Sequence, residues 1–168
     1  DVTSDDGDFT NGLAALFYPD GRRGEHDGGK IALWAWAASR ILDYLQTVPK
    51  IDSHRIYVTG HSRLGKSALW TAARDERFAG VASIQSGCSG AALARGKNGE
   101  TVEKITNVFP YWFAPAYAAF ADREAEMPFD QHDLLALAAP RRLLVTSAAA
   151  DDWADPDSEA LGCAAVAP

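Results

Sequence analysis

What this sequence has little of narrows it first. Two cysteines in 168 residues, Cys88 and Cys163, cannot build a disulfide scaffold, and their spacing suits no metal motif. They could pair with each other in an oxidising compartment, and the plainer reading is two reduced, buried, small apolar residues. Basic residues are the minority charge, 16 lysines and arginines against 23 aspartates and glutamates. The resulting −7 argues against a nucleic-acid partner, which calls for a basic stripe. No apolar run approaches a membrane span, and no signal-like segment opens the chain. Histidine is the scarcity that matters most. There are four, His26, His54, His61 and His132, and none follows residue 132.

What is present is a globular composition, 47% apolar and 23% charged, enough for one domain with a real core. Lys30 to Thr47 reads as a helix, with Trp34, Ala38, Ile41 and Leu45 recurring at three- and four-residue steps between Gly28-Gly29 and Pro49. "RIYVTG" reads as a short buried strand, and residues 63–74 as a helix with a small face of Ala68, Leu69, Ala72 and Ala73. "GVASIQ", residues 80–85, is the next strand, followed by the glycine-rich loop "SGCSGAALARGKNGE". Pro110 and Pro115 break any long helix in "FPYWFAPAYAAF". "DQHDLLALAA" reads as a helix with an acidic first turn, and "RRLLVTSAAADDWADP" as a strand running into an acidic loop. Helices alternating with short apolar strands imply an α/β fold, a mostly parallel sheet covered on both faces.

One stretch answers to two descriptions. "GHSRLGKS", residues 60–67, fits the phosphate-cradling pattern G-x-x-x-x-G-K-[ST]. The same residues fit a strand turning sharply into a helix with Ser62 at its apex, a nucleophile elbow. A phosphate loop needs a second strand ending directly in a magnesium-holding aspartate, and several residues separate "RRLLV" from Asp151. The elbow explains more. Gly60 permits the tight turn, and the first N–H groups of the following helix can receive an oxyanion. The pattern departs from G-x-S-x-G at Leu64, with Gly65 one place later, and Arg63 beside the serine is unusual. The competing plain reading is a serine that merely caps a helix.

Beyond these motifs, "VTGHSRLGKSALWTAARDERF", "SGCSGAAL", "GETVEKITNVFPYWF", "FDQHDLLALAAPRRLLVTSA" and "DDWADP" together resemble the bacterial glucuronoyl esterases of carbohydrate esterase family 15. The resemblance implies an α/β-hydrolase, a three-layer sandwich with a mostly parallel sheet. It also implies hydrolysis of esters joining (4-O-methyl-)glucuronic acid on xylan to lignin alcohols, without metal or cofactor. By the same resemblance Ser62 is the nucleophile and Arg63 supports the oxyanion. Lys66, Glu100 and Trp153 hold the sugar. A carboxylate accepts paired hydroxyls, an ammonium donates to them, and an indole face suits a sugar ring.

For the acid, Gln85 occupies a place where some members carry glutamate and cannot itself be a charged partner. Asp151 matches the later position used by bacterial members, with Asp152 and Asp155 as neighbouring competitors; the plain reading of each is a solvated loop carboxylate. Trp112, in an apolar setting, stays open as core or platform.

A serine hydroxyl needs a base to take its proton, and in this fold that base follows the acid. No histidine follows Asp151. His61 adjoins Ser62 on a tight turn and points away, and His132 sits on a helix where support is the plainer role. The family's catalytic histidine falls beyond Pro168. The expectation is therefore a single partial domain over residues 1–168, incomplete at its C-terminus and lacking N-terminal strands, inactive alone. A monomer acting on a uronate ester in a secreted or periplasmic setting completes the expectation.

Overall fold

The computed structural model describes residues 2–96 and 98–167. Three five-residue strands, β1 (Tyr57–His61), β2 (Gly80–Ile84) and β3 (Arg142–Thr146), form one parallel sheet in the order β1-β2-β3. Thr59, Ala82 and Leu144 lie side by side across it. Two right-handed crossovers stepping in the same direction must lay their helices on the same face. That is what the core shows. Val58, Val81, Leu143 and Val145 face Ala68, Leu69 and Ala72 of α3 (Arg63–Arg74), Leu135 of α5 (Gln131–Ala136), and Cys163 and Val166 of α6 (Pro156–Val166). The opposite face presents Tyr57, Ile84 and Leu144 to solvent. The chain thus supplies two of the three layers of an α/β-hydrolase sandwich.

The helix from Lys30 forms as anticipated, α2 (Lys30–Leu45), but it buries a different set of residues. Ile31, Leu33, Ala35, Ala37 and Leu42 are buried, whereas Ile41 of the expected stripe is 54% exposed. The reason is packing on more than one side. Leu33 joins Phe9 and Ala14 in one cluster, and Ile31 joins Cys88, Val102, Ile105 and Trp112 in another. A helix clasped this way has no single apolar stripe to read.

The second of these clusters gathers the aromatic segment. Phe109, Tyr111, Phe113, Tyr117 and Phe120 pack around Ile105 and Trp112, with 115–120 wound as a 3₁₀ helix opened by its proline. It rests on α4 (Val102–Val108), capped by the Thr101 hydroxyl, which accepts from Lys104 N at 3.2 Å. A short turn, α1 (Ala14–Phe17), and two 3₁₀ turns, Ser53–Arg55 and Glu124–Glu126, complete the elements among the described residues. Cys88 is buried in the aromatic cluster and Cys163 packs against the sheet-facing one, both as free thiols. Among the described residues no helix is long and apolar enough to cross a membrane.

Candidate active site

β1 ends at His61 and α3 begins at Arg63, leaving Ser62 alone to make the turn. Its φ of 56° and ψ of −124° lie where a side chain is strained, at a cost of about 1–3 kcal/mol. Neighbouring bonds hold it there. Ser62 N donates to Ile84 O at 2.9 Å, and the Ser62 carbonyl accepts from Gly65 N at 2.9 Å and Lys66 N at 3.1 Å. Ser62 makes no side-chain capping bond to α3, which removes the plain capping role. Gly60 is obligatory here: a Cβ on it would stand 2.1 Å from the Leu64 carbonyl oxygen. The departure from G-x-S-x-G also has a physical account. Leu64 points outward, 48% exposed, and the close approach falls on Gly65, packed against Ser83 and Ser86.

The phosphate-loop description fails on the same geometry. Strand pairing persists to His61 and the helix starts two residues later, so no loop remains to wrap a phosphate. Lys66 is turned inward instead. Its ammonium donates to the Ser86 carbonyl and lies 3.9 Å from Glu100 Oε2, and both side chains are buried. Glu100 N donates to the Trp153 carbonyl at 3.0 Å, tying the loop before α4 to the loop after β3. The Trp153 ring is 56% exposed with Lys104 Nζ 5.6 Å from its centre, so it is no core aromatic. The structure therefore pairs the Lys66 and Glu100 side chains and joins Glu100 to Trp153 through the backbone.

Arg63 Nε lies 2.6 Å from Asp5 Oδ2, and Asp5 Oδ1 accepts from Trp112 Nε1 at 2.6 Å. Trp112 is buried and stacked on Phe109, with centroids 3.8 Å apart and planes 5° apart. It is core, and its indole N–H is committed. Asp5 escaped the sequence reading, because one aspartate among several in "DVTSDDGD" carries no distinguishing pattern.

Asp151 has both carboxylate oxygens engaged. Gln85 Nε2 donates to Oδ2 at 2.9 Å and Ala154 N to Oδ1 at 3.1 Å. Gln85 sits at φ 47°, with its N–H bonded to Thr146 O at 2.8 Å, so its side chain is aimed across the strand ends. Asp152 is exposed. Asp155 corrects the expectation of a solvated carboxylate. It is buried and caps α6, accepting from Ser158 N, Ser158 Oγ and Asn98 N.

Another buried carboxylate, Glu159, carries no signal in the sequence. It accepts from Gly87 N at 2.8 Å, Ser86 Oγ at 3.2 Å and Ser147 Oγ, clamping the outgoing ends of β2 and β3 together.

No histidine bonds Ser62 or Asp151 among the described residues. His26, His54 and His61 are exposed, and His132 is half-buried on α5 with Nε2 3.6 Å from Asp133 Oδ1.

A parallel sheet with a strained serine at a strand-to-helix elbow places the chain among the α/β-hydrolases. The comparisons are more specific. The family model for fungal glucuronyl esterases matches residues 15–168. The chain is 46% identical over 154 residues to a carbohydrate esterase of an unknown prokaryotic organism, covering 90% of this chain and 36% of that protein. It is 36% identical over 152 residues to a 4-O-methyl-glucuronoyl methylesterase of Hypocrea jecorina, covering 84% and 32%. A solved glucuronoyl esterase from Solibacter usitatus superposes with a TM-score of 0.87 at 46% identity, covering 94% of this chain and 41% of that one. The chain belongs to the glucuronoyl esterase family. It spans about a third of the length of these curated relatives.

Proposed function

We propose that the full-length protein is a serine esterase that cleaves esters of (4-O-methyl-)glucuronic acid, as in lignin–glucuronoxylan linkages. The observation that carries this reading is Ser62, strained at the elbow with the cation of Arg63 next to it. In the reaction Ser62 Oγ attacks the ester carbonyl and a base takes its proton. The tetrahedral oxyanion gathers the α3 N–H groups and the Arg63 guanidinium, which stays charged throughout. The alcohol leaves with the proton, and water then releases the uronate from the acyl-enzyme. Asp151, held through Gln85 and Ala154, is the acid that orients the base. The base is an imidazole from outside these 168 residues.

Lys66, Glu100 and Trp153 hold the glucuronoyl ring, and the paired buried charges of the first two suit hydroxyls rather than an apolar acyl chain. We assign no metal, cofactor or nucleic acid to the reaction, and take the protein to be a monomer exported to reach plant cell wall. The test is turnover of benzyl glucuronate by the full-length protein. Ser62→Ala is expected to remove it by about four to six orders of magnitude. The 168-residue chain alone is expected to be inactive. Turnover by that chain at the full-length rate refutes the missing base. A second reading, a non-catalytic carbohydrate binder, draws on the same absence of a base in reach. It requires full-length protein that binds glucuronoxylan fragments but never turns over, with or without Ser62.

A further inference from the structure

We propose that Asp5 is the positioning residue for the Arg63 guanidinium, a role that rests on reading Arg63 as the oxyanion's cation. An ion pair between side chains 44% and 32% exposed is ordinarily worth little, because two long chains must be immobilised to form it. This one differs in that its carboxylate is fixed from behind. Asp5 Oδ1 is bonded to the indole of buried Trp112, itself clamped face to face on Phe109. The loop carrying Asp5 is fastened as well. Fully buried Lys30 Nζ donates to Thr3 Oγ1 at 2.9 Å and to Asp8 O at 2.6 Å, and Leu13 N donates to Val2 O at 2.6 Å. Lys30 opens α2, which packs on α3, the helix that Arg63 begins. Both partners are therefore referenced to the same pair of helices.

The contact is made at Nε. Among the described residues Arg63 makes no other side-chain contact with a protein acceptor, which leaves the Nη groups for a developing negative charge. A neighbouring carboxylate lowers the field of the cation, but stabilisation of an oxyanion depends on a donor already in place when charge appears. Asp5 gives up some field for a fixed direction. Its consequence is a transition-state effect, since the ground-state carbonyl carries no full charge to feel it.

The experiment is a double-mutant cycle in the full-length protein on benzyl glucuronate, with Asp5→Asn, Arg63→Gln and both together. Asp5→Asn keeps the acceptor for Trp112 and loses the charge. It is expected to lower kcat about tenfold with KM within about twofold, less than the ~10²–10³ for deleting an oxyanion donor. In the Arg63→Gln background the same change is expected to do almost nothing. Trp112→Phe, which keeps the stack and drops the indole N–H, is expected to lower kcat in the same direction and serves if Asp5→Asn folds poorly. An Asp5→Asn that leaves kcat unchanged, raises it, or lowers it equally without Arg63 overturns the proposal while leaving the esterase reading intact. A wild type without turnover, or one that keeps its rate after Ser62→Ala, defeats the esterase reading itself and this proposal with it.

Discussion

Replacing Gly60 with alanine places a methyl carbon 2.1 Å from the Leu64 carbonyl oxygen, 2.3 Å from its carbon and 2.9 Å from Gly65 N. Carbon–oxygen contacts settle near ~3.3 Å or more, so the overlap exceeds 1 Å. Every atom met is backbone, and no rotamer change can relieve it. Either β1 moves away from the start of α3 or the first turn of α3 unwinds. Overpacking of this kind exceeds the usual 1–3 kcal/mol, and roughly 3–5 kcal/mol is expected here. For a chain of this size that corresponds to a fall in Tm of about 6–20 °C. Gly65→Ala, whose nearest contacts are 3.0–3.2 Å and include the Ser86 and Ser83 side chains, is expected to cost less. Gly7→Ala, with nothing nearer than Tyr111 Cδ1 at 4.0 Å, is the neutral control. Urea unfolding of the three variants measures the order. A Gly60→Ala midpoint equal to that of Gly7→Ala refutes the claim that the elbow is sterically closed.

Trp153→Ala removes an exposed ring, so Tm is expected to stay within a degree or two while KM of the full-length protein for a glucuronate ester rises severalfold. An unchanged KM removes Trp153 from the sugar site. Asp75 reports on acid stability at the far end of the molecule. The Arg77 guanidinium, bonded to both its oxygens, holds its pKa down from 3.8 to about 2 against the opposing effect of burial. A folded-state pKa below the unfolded one adds stability that is fully present above about pH 4 and disappears as pH falls to 2. Asp75→Asn is expected to lose that contribution, so the stability gap to wild type should close across pH 4 to 2. A gap constant in pH refutes the pairing.

Where one local rule dominated, the sequence was readable. Residues 63–74 are a helix because a glycine-flanked turn precedes a run of good helix formers with a small face, and nothing competes with that pattern. Ser62 was legible for a steric reason, since few arrangements need glycine two places before a serine at a strand's end. Helix α4 was missed because seven residues carry too little periodicity, and α6 because "DDWADP" reads as loop while Asp155 and Pro156 are in fact its cap and first turn. Gln85, uncharged and so no acid itself, donates to Asp151, a contact its position in the sequence does not show. Glu159 and Asp5 were invisible for a common reason. Gly87, which donates to Glu159, and Trp112, which donates to Asp5, lie 72 and 107 residues away in the chain, and only the closed fold brings them together.

Ser62 immediately precedes Arg63, the first residue of α3, and Lys66 follows within the opening turn, while Ser67 on that helix donates to the Ile31 carbonyl of α2 at 3.2 Å. In the reading proposed above, the attacking group, the cation and the sugar ligand are thus mounted on one stiff shaft. They translate together or not at all, so drift in that shaft cannot misalign one against another. The surrounding walls, the aromatic segment and the loop bearing Trp153, belong to other parts of the chain. On that reading those walls can be recut for a different alcohol while the machinery proposed to open the ester stays in tune.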